Sequence, residues 1–136
     1  MDNSWGVEIL ISEQLDSLRA EFPECHTVAL ADISSGTVLC VSSNQKHPQE
    51  RMDALCSTAA ELLDGETARS FSKALAMPAT AAMQESVVMA TSETYLFLRS
   101  PQDPMEAMFC ICAASIDVHG FLQSARSSLK SIAKEQ

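Results

Sequence analysis

Basic residues, glycines, aromatics and long apolar runs are all scarce in this 136-residue chain, and each scarcity removes a class of function. Nine Lys and Arg stand against 18 Asp and Glu, a net charge of −9. Such a field repels a polyanion, so nucleic acid is not an expected partner. The four glycines, Gly6, Gly36, Gly65 and Gly120, are scattered, so no Gly-rich phosphate loop can be assembled. No run approaches the roughly 18 to 20 apolar residues of a membrane span. The N-terminal MDNSWGVEILISEQ has no basic n-region and carries Glu8 and Glu13 inside its apolar stretch, so it does not read as a secretory signal. Paired Cys-x-x-Cys knuckles and a Gly-x-Ser-x-Gly elbow are also missing from the sequence.

Five cysteines are present, Cys25, Cys40, Cys56, Cys110 and Cys112, an odd number set mostly among Val, Leu, Ile and Ala. Reduced thiols in such surroundings pack as small hydrophobes, which points to a reducing cytoplasm. The hydrophobic content of 46% with one Trp and one Tyr implies a core of Leu, Val, Ala and Met. A chain of this length buries roughly 68% of its unfolded surface in one core, so residues 1–136 are expected to form a single domain. The acidity is uneven: residues 1–64 hold 11 acids and 3 bases, a net of −8, and the remainder is nearly neutral.

The apolar set Ile11, Leu15, Leu18, Phe22 steps by four, three and four and predicts a helix over about 7–22, stopped by Pro23. The stretch TVALADISSGTVLCVSS then alternates apolar and small residues on either side of Ser34-Ser35-Gly36, a hairpin with strands near 25–33 and 37–42. Pro48 opens a second helix with Met52, Leu55, Cys56, Ala59, Leu62 and Leu63 on its core face, ended or bent at Gly65. Residues 66–84 read as a short helical continuation around Phe71 and Leu75, then a linker after Pro78. Strand signals follow at 86–91, 94–100 and 105–114, the first pair joined by a tight Ser92-Glu93 turn and the second by PQDP. Asp117 is a natural N-cap for a last helix, with Val118, Phe121, Leu122, Ala125, Leu129 and Ile132 on one face. The order α-β-β-α-β-β-β-α is satisfied by an α+β fold, one five-stranded antiparallel sheet flanked by helices.

With that first hairpin, RMDALCSTAAELLDG as the crossover helix and YLFLRSPQDPMEAMFCICAA as the last hairpin, the chain resembles the roadblock family related to dynein light chains over roughly residues 7–134. It departs in the Ser-Ser-Gly turn and in the long 65–84 segment. The resemblance implies a roadblock/profilin-like fold without catalysis. It further implies homodimerisation through the middle strand and central helix, and docking onto Ras-like small GTPases or service as a scaffold.

The residues carry their own interaction signals. Val87, Val88 and Met89 are consecutive apolar residues with no charge or proline, which suits either an edge strand open to a second chain or an interior strand covered on both faces. Ala54, Ser57, Thr58 and Glu61 on the outward face of the second helix are small enough to admit a twin helix, or form a plain solvated face. Arg126, Lys130 and Lys134 step by four along the last helix, a docking strip for an acidic partner or solvated cations complementing the helix dipole. Arg99 reads as a strand-end charge or a partner contact.

Candidates for chemistry are thin. Cys110-x-Cys112 puts two thiols on one strand face, where Cys25 or Cys40 would have to complete a zinc site, and reduced core thiols are the expectation. Asp117 and His119 do not share a helix face, and His26 reads as a structural histidine. No cofactor, metal or catalytic residue is expected. The leading expectation is a cytoplasmic, homodimeric adaptor or regulator that binds a folded protein. Two alternatives are an acidic secretion chaperone for an unfolded effector segment and a sensory domain for a small ligand, which would need a pocket between sheet and helix.

Overall fold

The computed structural model describes residues 4–78 and 81–135, with the side chains of Ser4, Trp5, Val7, Glu8, Lys134 and Glu135 excepted. The elements run α1 (Ser4–Glu21), β1 (Cys25–Asp32), β2 (Thr37–Ser43), α2 (Gln49–Asp64), α3 (Glu66–Ala74), β3 (Glu85–Met89), β4 (Glu93–Arg99), β5 (Glu106–Ala113) and α4 (Val118–Glu135). The strands form one antiparallel sheet in the order β2-β1-β5-β4-β3. β5 is therefore central, and its near-continuous apolar sequence EAMFCICA is buried on both faces.

Alternation along the strands divides the core into two layers. Val28, Leu30, Leu96, Leu98, Met108 and Cys110 face α1 and α4, whose Leu15, Leu18, Phe121, Leu129 and Ile132 close over them. Phe22 meets the fully buried Phe121 edge to face at 5.1 Å between ring centroids. On the opposite face Ala29, Ala31 and Ala107 lie beneath α2, whose Met52, Cys56, Ala59 and Leu63 pack between them and the larger Phe97 and Phe109. The small residues let the helix axis approach the sheet closely.

Local chemistry sets the boundaries. At the first hairpin Asp32 Oδ1 accepts from the backbone N–H of Ser34 and Ser35 and from the Ser34 hydroxyl, and Gly36 supplies the positive φ of 73°. Those hydrogen bonds hold the Asp32 carboxyl below its usual range. Pro48 is the N-cap of α2, so the helix starts at Gln49, one position later than expected. Between α2 and α3 the chain bends at Gly65, where a Cβ would come within 2.8 Å of the Glu61 Cα. That close approach frees Glu61 to fold back and accept from the Thr67 N–H and hydroxyl, which starts α3. The expected turn at Ser92-Glu93 is corrected: Glu93 already belongs to β4, opposite Ala113, and the hairpin closes by Ala90 N–H donating to Glu93 O.

Arg99 corrects a second expectation. It is 8% exposed and is not a surface charge. Its guanidinium donates to the backbone carbonyls of Met83, Pro104 and Leu63, with Asp64 at 4.0 Å. Three separate segments, the end of α2, the approach to β3 and the β4–β5 loop, are thereby tied to one planar donor group. Replacing Arg99 by Met leaves those carbonyls without their charged donor. The expected loss is about 3 kcal/mol of stability in a urea titration, and a loss within error of zero would overturn the assigned role.

Candidate interaction surface

β3 is an edge strand, paired only with β4, which removes the interior-strand alternative. Val87 lies opposite Leu96 and packs half-buried against the α1/α4 layer, while Val88 lies opposite Tyr95 on the α2 side. Val88 is 41% exposed and Met89 70%. Beside this edge runs a shallow apolar groove of about 210 Å³ lined by Leu55, Thr58, Val88, Tyr95 and Phe97. It lies between the flank of α2 and the α2-facing side of β3 and β4.

Ala54, Ser57, Thr58 and Glu61 are all exposed and, at i, i+3, i+4 and i+7, form one outward stripe along α2. Thr58 alone borders the β3 groove. Ser57 and Glu61 line a depression on the other flank of α2, with Ile33 and Gly36 of the first hairpin. Glu61 is moreover engaged with Thr67, whose two hydrogen bonds lower its pKa. The groove residues that sequence reasoning missed, Leu55, Tyr95 and Phe97, had been assigned to core or to an ordinary strand. Leu55 and Tyr95 are half-open there, whereas Phe97 is 2% exposed and remains part of the core.

A polar network joins the N-terminal end of α2 to the sheet. His26 is the extra residue of a β-bulge between β1 and β5, which re-aims its ring to place Nε2 3.4 Å from Glu93 Oε2. Glu93 also accepts from the Tyr95 hydroxyl at 2.7 Å and faces Arg51 of α2 at 3.5 Å. The Tyr95 bond, with the nearby cations, holds the Glu93 carboxyl below its usual value and pushes the Tyr95 phenol up. The buried Thr27 hydroxyl lies 2.8 Å from both Ser43 Oγ and His47 Nε2. Tyr95 thus belongs to both the network and the apolar groove.

Arg126 is not a free docking cation: its guanidinium makes a bidentate pair with Glu85 at 2.6 and 2.7 Å, tying α4 to the start of β3. Lys130 is exposed one turn on, and the side chain of Lys134 lies outside the described residues. His119 is exposed, and Asp117 caps α4 through the Gly120 N–H. No disulfide joins any of the five cysteines. Burial raises the Cys56 and Cys110 thiols, whereas a hydrogen bond shared by Cys25 and Cys112 lowers the first and raises the second. Among the described residues no group of His, Cys, Asp or Glu has the geometry of a metal site, and no helix is long and apolar enough to cross a membrane.

This arrangement, α1 and α4 on one face of a β2-β1-β5-β4-β3 sheet and α2 on the other, is the roadblock/LC7 fold. The similarity lies in the structure, since no protein-family model and no curated protein matches the sequence. A roadblock/LC7 domain from Streptomyces avermitilis aligns with a TM-score of 0.71 at 13% identity, over 90% of this chain and 94% of that one. The gliding protein MglB from Thermus thermophilus aligns at 0.76 and 15%, over 95% and 90%. An MglB structure with a tetrameric arrangement aligns at 0.76 and 15%, over 95% and 89%.

The network makes one solution behaviour predictable. Desolvation, then the nearby Arg51 and His26, depress the His47 pKa. The unfolded chain therefore takes up this proton at a higher pH than the folded one, and the resulting stability is present above about pH 6.5 and drains away as pH falls below it. Melting temperature should drop between pH 7 and pH 5.5 in the native protein and drop less in His47→Gln. Parallel pH profiles would show that His47 carries none of this dependence.

Proposed function

We propose that the chain acts as a non-catalytic, homodimeric adaptor or regulator in the cytoplasm. It binds another folded protein, and a Ras-like small GTPase is the partner implied by the roadblock resemblance. The observation that carries this reading is the open β3 edge with Val88 beside the groove of Leu55, Thr58, Tyr95 and Phe97. A second copy laid antiparallel along β3 continues the sheet across a two-fold axis and brings α2 beside its twin. Val87, Val88 and Met89 form the strand part of that seam, and Ala54, Ser57, Thr58 and Glu61 its small-residue helical margin. The tetrameric arrangement of the MglB neighbour supports self-association through this fold. The basic side of α4, with exposed Lys130 one turn beyond the Arg126–Glu85 pair and Lys134 four residues further along the sequence, is the proposed contact for an acidic partner surface.

Light scattering at micromolar concentration should give about twice the 14.7 kDa of one chain, and Val88→Lys should return a monomer that melts as the native protein does. A native mass near one chain refutes the dimer. Affinity capture from the source cell in excess GDP or a GTP analogue should recover a nucleotide-binding protein whose yield depends on the nucleotide added. Recovery of a secreted effector in its place would favour the chaperone alternative.

A further inference from the structure

Two of the cysteines face one another across the sheet. Cys25 opens β1 and stands directly opposite Cys112 of β5, and both are buried in the layer beneath α1 and α4. The backbone fixes the kind of pair they make. Ala113 N–H donates to Glu24 O just beyond them, while Cys25 N–H turns back to Phe22 O, so the two cysteines do not exchange the paired bonds of a hydrogen-bonded position. Pairs of this kind hold their Cα atoms about 4.5 Å apart, inside the range of about 4.4 to 6.8 Å that a disulfide spans. The two thiols already share a hydrogen bond.

No other two cysteines are set up in this way. Cys40 lies opposite Leu30, Cys110 lies opposite Val28 on one side and Leu96 on the other, and Cys56 packs in the opposite layer. Cys110 and Cys112 point the same way two residues apart on one strand, about 6.6 Å, too far for the roughly 3.8 Å between Cβ atoms that a bridge requires. The pair is also chemically unequal. The hydrogen bond from Cys112, with Arg19 nearby, lowers the Cys25 thiol and raises that of Cys112, which makes Cys25 the nucleophile. Thr94 of β4 lies opposite Cys112 on its other side, and its buried hydroxyl has no hydrogen-bond partner among the described residues. It is available as a donor to the Cys112 sulfur once that thiol gives up its proton.

We propose that Cys25 and Cys112 are a redox-active pair that a peroxide converts to a disulfide across β1 and β5. The Cys25 thiolate attacks one peroxide oxygen, the O–O bond breaks, and the second oxygen leaves as hydroxide and is protonated to water. Cys112 then gives up its proton and its sulfur attacks that of Cys25, whose S–O bond breaks as the oxygen leaves in a second water. Two thiols have lost two electrons to one peroxide. The pair lies at the end of the sheet, where local opening admits a small oxidant more readily than in its middle. The bridge pins β1 to β5 at the residue before the His26 bulge, and in a reducing compartment it is transient.

The test treats the reduced full-length chain with hydrogen peroxide, alkylates the remaining thiols and maps the peptides without reductant. The Cys25 and Cys112 peptides should be joined, with the loss of two hydrogen atoms by mass, and dithiothreitol should separate them. Cys110→Ala should still form the bridge. Cys112→Ala should leave a sulfenic acid at Cys25 that dimedone captures, and Cys25→Ala should leave Cys112 unlabelled. If these variants do not fold, the map of the native chain decides. A bridge through another cysteine in place of this one, a bridge formed only between two chains, oxidation of Cys25 straight to sulfinic acid, or two thiols left reduced would each overturn the proposal. Dimedone capture at Cys112 in Cys25→Ala would overturn Cys25 as the attacking thiol.

Discussion

One helix cannot cover five strands. Neighbouring strand axes lie about 4.8 Å apart, so this sheet spans about 19 Å between its outer strands, whereas a helix with its side chains is about 10 Å wide. On one face α1 and α4 share the task and bury Val28, Leu30, Leu96, Leu98, Met108 and Cys110. On the other face α2 packs on the sheet over Ala29, Ala31, Ala107, Phe97 and Phe109. At the two edges of the sheet Val88 of β3 and Val41 of β2 stay partly in solvent.

Charge is used in this fold to join segments. Arg99 gathers three backbone carbonyls that would otherwise end in loops, Arg126 ties α4 to β3 through Glu85, and Arg51 meets Glu93 between α2 and β4. Arg19 likewise joins α1 to β2 by donating to the Ser42 hydroxyl, so at least four of the nine basic residues are engaged in internal joints. The acidic excess belongs mostly to the part of the chain that precedes α3.

Element order, the hairpin turn and the core faces of α1, α2 and α4 were legible because each rests on local periodicity or turn chemistry. Met52, Cys56, Ala59 and Leu63 fell where the helical spacing put them. Glu93 was misread because Ser-Glu suits a turn, while its hydrogen bonds to a strand depend on Ala113 twenty residues away. Arg99 and Arg126 were misread for the same kind of reason. A cation at a strand end or on a helix face gives no sign in the sequence of which distant carbonyl or carboxylate will meet it.

The sequence by itself determined the alternation that makes the sheet two-faced, the breaks at Pro23, Gly36 and Gly65, and the acidic imbalance, since each is a property of residues close in the chain. The tertiary structure alone decided that β3 and β2 are the edges, that Leu55 and Tyr95 line a groove instead of a closed core, and that His26, His47, Arg51 and Glu93 share one network. Those outcomes depend on strand order and on the reach of one helix, and both arise only when segments far apart in sequence compete to cover the same sheet.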